Sequence, residues 1–162
     1  MLFRSFQSST VSKSLKVDFY PKVYNVTYYN MGDSMSFQLN LTHNISATVD
    51  LKNSLKVVLW SQYLEPVKGS LSVVAGSING AEQYNSSAIS FDVTSLDSGN
   101  LSSVTFEATV KDSIQPLSNL YFAVLVTGQD DGNKNYHYGP APSQPTQYAV
   151  FPTVSLTRTS YS

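Results

Sequence analysis

Cysteine is missing from this chain altogether. Its absence excludes disulfides, thiolate nucleophiles and cysteine-based zinc sites. Charge is scarce as well. Asp, Glu, Lys and Arg make up 13% of the residues, about half the usual share of roughly 25%. With a net charge of −1, nothing in the balance suits nucleic acid or an anionic membrane surface as a partner. No apolar run approaches the about 20 residues of a membrane-spanning helix, so no membrane insertion is expected. The opening Met1-Leu2-Phe3-Arg4-Ser5-Phe6 is shorter than the about 7–15-residue apolar core of a secretory signal, so it does not read as one.

Histidine is limited to His43 and His137, and glutamate to Glu65, Glu82 and Glu107. A Ser–His–Asp triad needs a histidine oriented by a carboxylate. His137 has Asp130 and Asp131 nearby in sequence, but serine is so abundant that nearness to one carries no information. His43 falls on an apolar parity and reads as a satisfied histidine at a strand end. The glutamates are too scattered to suggest a glycosidase pair. There is no phosphate loop. The oxygen-rich Gln129-Asp130-Asp131-Gly132-Asn133-Lys134-Asn135 stretch lacks the alternating ligand spacing of a calcium loop and reads as a tight turn. The expectation is a non-enzymatic protein without metal or cofactor.

What is present is alternation. Across residues 35–51 the odd positions read Met35, Phe37, Leu39, Leu41, His43, Ile45, Ala47, Val49 and Leu51. The even ones read Ser36, Gln38, Asn40, Thr42, Asn44, Ser46, Thr48 and Asp50. A period of two marks extended chain with one face buried and one wet. The stretch exceeds the usual strand of about 5–6 residues, so it is one very long strand or two meeting near His43–Asn44. Similar alternation predicts strands over 15–21, 23–29, 71–75, 89–93, 104–110 and 148–156. Runs apolar on both faces predict central strands at 55–60 and 120–126. Turns are expected at 30–33, 52–54 and 95–100, and loops at 65–69, 76–87 and 128–146. The proline-rich segment 139–145 favours polyproline II.

These readings give an all-β chain of nine to ten strands, a two-sheet antiparallel sandwich of jelly-roll or immunoglobulin-like topology. Its 162 residues suit one domain. Residues 1–14 read as an arm, with an apolar tip of Leu2, Phe3 and Phe6 before a polar run, and 15–162 as the domain. Such an arm is ordered only where something ties it down: its own domain, or a neighbouring subunit to which it adds a strand.

Two surface features remain. Tyr136, His137 and Tyr138, with Tyr148 nearby, form an aromatic loop suited to stacking on sugars or anchoring an interface. Asn25, Asn40, Asn44, Asn85 and Asn100 each head an N-x-S/T sequon, placed on wet faces or in loops where a glycan could sit.

In its wealth of Ser, Thr, Asn and Tyr, its lack of cysteine and its dense sequons, such as Asn40-Leu41-Thr42 and Asn44-Ile45-Ser46, the chain resembles β-sandwich surface proteins of archaea and their viruses. The resemblance covers the whole chain and implies assembly and glycosylation. The expected function is therefore a structural subunit of an extracellular assembly, a virion coat, turret or fibre or a secreted surface filament. Its partners would be copies of itself or other coat subunits. The alternative is a cell-surface carbohydrate-binding sandwich that uses the tyrosine loop.

Overall fold

The computed structural model describes residues 15–23, 28–43, 51–94, 101–112, 118–130, 135–143 and 147–149. Among them there are strands and no helix. Eight strands build two antiparallel sheets that pack face to face. The first contains β1 (Leu15–Pro21), β3 (Ser34–His43) and β9 (Leu101–Val110), in that spatial order. The second runs β12 (Asn135–Pro142), β11 (Ala123–Asp130), β4 (Leu51–Trp60), β8 (Ala88–Val93), β7 (Ile78–Tyr84). Short strands complete the structure. β5 (Leu64–Pro66) and β6 (Ser72–Ala75) both pair with the free side of β9. β2 (Tyr28–Tyr29), β10 (Asn119–Leu120) and β13 (Gln147–Ala149) form a small third sheet in which β13 runs parallel to β2. The short strands carry the total beyond the nine or ten expected.

The strand order is that of the immunoglobulin-like class. β1, β3, β9 and β5/β6 occupy the A-B-E-D positions, β4, β11 and β12 the C-F-G positions, and the β7–β8 hairpin extends the second sheet.

Alternation explains the packing. Met35, Phe37, Leu39, Leu41 and His43 of β3 are buried, while the residues between them are half-buried. Leu55, Val57 and Leu59 of β4 meet them from the other sheet in one core. The 35–51 stretch resolves into β3 ending at His43 and β4 starting at Leu51, in different sheets. Residues 44–50 lie outside the described set. At the centre Phe37 and Phe106, cross-strand partners, stack with ring centroids 5.6 Å apart. Phe122 stands edge-on to both, at 5.2 and 5.1 Å, a favoured aromatic geometry.

Several expectations fail here. Residues 65–66, expected in a loop, belong to β5, where Glu65 pairs with Thr109 and Pro66 with Ala108. Residues 52–54 are not a turn but the start of β4, where Lys52 pairs with Gln129 and Leu51 with Asp130. Much of the expected loop 76–87 is β7, an edge strand whose polar residues need only one neighbour, β8. The expected loop 128–146 is largely the β11–β12 hairpin. Its Pro140 and Pro142 are tolerated because β12 is an edge strand, where a missing N–H costs no ladder bond. The central position expected for 55–60 holds, with β4 between β11 and β8. The strand expected over 120–126 divides, Leu120 ending β10 in the small third sheet and 123–126 opening β11 between β12 and β4.

Tyr138 closes one side of the sandwich. It packs against the core, and burial, reinforced by the negative charge of Asp18 on β1, raises its phenol above the ordinary tyrosine value of about 10. Folded protein thus keeps a proton that the unfolded chain would lose. This contribution to stability is complete below about pH 10 and disappears as pH rises through the folded-state value. Tyr84, raised chiefly by burial, acts in the same direction. Tyr138→Phe is therefore expected to flatten the alkaline fall in stability, measured by urea denaturation from neutral to strongly alkaline pH. An unchanged alkaline slope would show that the ring is solvated.

Candidate functional site

Two features stand out for function: the edges of the sheets and a cleft on the outer face of the second sheet. Exposed strand edges offer unpaired backbone groups to another chain, and proteins commonly blunt them. The β1 edge carries Lys16 and Asp18, 3.9 Å apart and exposed. The β12 edge carries Pro140 and Pro142. The β7 edge is irregular between Asn79 and Gln83 and bears Glu82. β5 bears Glu65 and Pro66. β6 has neither charge nor proline; it reads Ser72-Val73-Val74-Ala75. The register shift between Val73 and Ala75 turns Val74 outward, and Val73 and Val74 are 43% and 60% exposed.

The cleft arises from register. Across the second sheet Ala88, Trp60, Ala123 and Pro142 lie in one row. Leu59 faces the core, so Trp60 stands on the opposite face, between two alanines too small to cover it. Pro140 and Pro142 form the facing wall and Asn119 and Tyr121 close the end, around a volume of about 450 Å³. Tyr121 and Asn119 also border a second hollow of about 320 Å³, reached by Ser61, Gln62, Tyr63 and Ser118. Phe122 is fully buried while its neighbour Tyr121 is 38% exposed, so Tyr121 is held as a divider between the two hollows.

A bulge in β12 decides which residues reach this cleft. Val124 pairs with Ala141 and Val126 with Tyr138, so Gly139 and Pro140 together oppose Leu125 alone. One extra residue reverses the facing of the strand beyond it. Tyr138 turns to the core, whereas Pro142 joins Ala123 on the outside. Gly139 makes this possible with a φ of 89°, and a Cβ there would strike the Val124 carbonyl oxygen.

The structure separates the residues singled out from sequence. Tyr136, His137 and Tyr138 belong to β12 and Tyr148 to β13, so they do not form a loop. The half-buried Tyr138 ring packs on the core, and half-buried His137 has Nδ1 3.2 Å from the Gly139 carbonyl. His43, fully buried, ends β3 opposite Leu15. Asn40 is half-buried in a polar cluster: Gln38 Nε2 donates to its Oδ1 at 3.0 Å, Ser103 Oγ donates to the same oxygen, and its Nδ2 donates to Tyr20 Oη at 3.2 Å. A glycan on Nδ2 would displace that last bond. Asn85 is exposed between β7 and β8, its Oδ1 accepting from the Ser87 N–H at 2.8 Å. Leu2, Phe3, Phe6, Asn25, Asn44 and Asn100 lie outside the described residues. Among the described residues no group of three or more carboxylate and imidazole side chains converges to hold a metal. Trp60 and Tyr121 were not singled out from sequence as site residues. Their partners in the row are distant in sequence and are joined only by strand pairing.

No protein-family model matches the sequence, and no curated protein matches it significantly. Solved structures with the same fold do exist. The chain is similar to the major pilin subunit of Bacillus cereus, with a TM-score of 0.58 and 11% identity over 84% of this chain and 40% of that one. It is similar to the C-terminal fragment of the major pilin GBS80 of Streptococcus agalactiae, with a TM-score of 0.55 and 9% identity over 84% and 56% of the two chains. The pilus backbone protein of Streptococcus pneumoniae aligns with a TM-score of 0.52 and 13% identity over 72% and 31%. The chain thus spans 40%, 56% and 31% of these three chains.

Proposed function

We propose that this chain is a non-enzymatic structural subunit of an extracellular surface filament, joined to copies of itself by strand addition. The observation that carries the reading is the β6 edge, the one described edge of the two large sheets with exposed valines and neither charge nor proline. The fold is in keeping with it, since similar domains occur in proteins described as major pilins and a pilus backbone. The donor in this reading is the arm 1–14 of a neighbouring copy. Extended, those residues reach roughly 45 Å, enough to cross to another subunit. The arm's apolar Leu2, Phe3 and Phe6 would lie against Val73 and Val74, while its backbone adds to β6.

Light scattering coupled to size exclusion, with electron microscopy of the high-mass fraction, tests this. Full-length protein is expected to form regular high-mass assemblies. Deleting residues 1–14, or replacing Val73 and Val74 together by lysine, is expected to leave a folded monomer, because edge lysines oppose pairing. Assembly that survives both changes would sink the strand-addition reading. Asn85 is the described sequon best placed for a glycan, and intact-mass measurement of natively produced filaments would detect it as added glycan mass that Asn85→Gln removes.

A further inference from the structure

We infer that the Trp60–Tyr121 cleft is a binding site for a neutral oligosaccharide. The inference holds whether or not copies of the chain assemble. Three properties of the cleft point to this class of ligand.

First, the platform has the right shape and polarity. The indole of Trp60 stands between Ala88 and Ala123, so an aromatic face adjoins a small-residue floor. Pyranose rings present apolar C–H faces that lie flat on such a surface, as other half-apolar ligands do on Trp and Tyr. The volume of about 450 Å³ falls within the about 300–1,000 Å³ usual for small-ligand sites.

Second, the polar groups sit at the rim. Asn119 borders both hollows, and Gln62, Ser61 and Ser118 border the second. Amides and hydroxyls both donate and accept, which matches hydroxyls spread around a sugar ring. The division by Tyr121 suits consecutive rings of an oligosaccharide, one on each side of the phenol.

Third, the described lining residues carry no charge. Lys111 lies beside the second hollow, but its Nζ donates to the Gln62 carbonyl at 3.3 Å and to Ser87 Oγ at 2.8 Å and is not part of the lining. An anionic sugar, a phosphate or a charged peptide would thus lose its hydration over walls that carry no counter-charge. A proline-rich peptide is the other ligand that aromatic clefts favour, through grooves lined by aromatic residues. Here the wall facing Trp60 is itself made of Pro140 and Pro142, which offer no backbone N–H to peptide carbonyls.

Trp60 is the sole tryptophan of the chain, so emission excited selectively at the red edge, where its 11 tyrosines do not absorb, reports on this cleft. The experiment is a titration of the full chain with maltotetraose, cellotetraose, mannotetraose and chitotetraose, with hexaproline as the competing probe. At least one tetrasaccharide is expected to give a saturable change in emission. Tyr121→Ala and Ala123→Phe are each expected to weaken that response at least about tenfold, the effect of removing a stacking group or filling the floor of a site. Both keep Trp60, and their urea midpoints separate lost binding from lost folding. Val74→Lys, on the far edge of the other sheet, is expected to bind as the parent does. A response to hexaproline alone, no saturable response to any tetrasaccharide, or binding that survives Ala123→Phe would overturn the assignment.

Discussion

Replacing Phe37 by alanine is expected to lower the free energy of unfolding by about 3–5 kcal/mol. Phe37 is fully buried. It stacks on Phe106 and receives the edge of Phe122, and Phe19 lies 5.8 Å away on the neighbouring strand β1. These rings come from β1, β3, β9 and the connection into β11, so their contact joins the two sheets. Truncation removes apolar burial and leaves a void that strands fixed by their ladders cannot close. A domain of this size has roughly 5–15 kcal/mol of stability in all. Chemical denaturation should show a much lower midpoint with an unchanged slope. A loss below about 1 kcal/mol would mean that the ring cluster is not the centre of the core.

Gly139→Ala is expected to cost on the order of 3 kcal/mol, because two penalties coincide. Its φ of 89° is a conformation that side chains rarely adopt, and the added Cβ would meet the Val124 carbonyl oxygen and the Ala141 nitrogen. Neither atom can move without breaking the β11–β12 ladder. Gly69 is the natural comparison. Its φ is 81°, but nothing lies within 4 Å of a Cβ placed there. Gly69→Ala should therefore cost only about 1 kcal/mol, the conformational part alone. Parallel denaturation of the two variants checks the difference. Equal losses would show that β12 escapes the clash by shifting, which amide exchange along β12 would reveal.

The same bulge marks where sequence reading stops. Alternation made β3 legible residue by residue, and Leu55, Val57 and Leu59 continued its parity into the second sheet. It could not show that Tyr138 and Pro142, which share a parity, face opposite ways, because the extra residue at Gly139–Pro140 is defined by the partner strand. β7 was hidden for a related reason. A sequence such as Ile78-Asn79-Gly80-Ala81-Glu82 lacks strand propensity, and pairing with β8 supplies what propensity does not. Residues 52–54 looked like a turn on composition and lie in β4 because β11 reaches past them, Gln129 pairing with Lys52 and Asp130 with Leu51 beyond an irregularity. The cleft was beyond composition altogether. Trp60 was visible as part of a central strand, but its exposure depends on Ala88 and Ala123 standing beside it, a fact of register.

The pairing of β1 with β3 also has a mechanical meaning. β1 begins at Leu15 and runs antiparallel to β3 through every residue to Pro21, ending opposite Phe37. A pull on the chain at Leu15 along the strand axis, against a hold at the far end of the sheet, loads these bonds together in shear. It does not peel them one after another. The first strand is thus attached in the orientation that best resists traction.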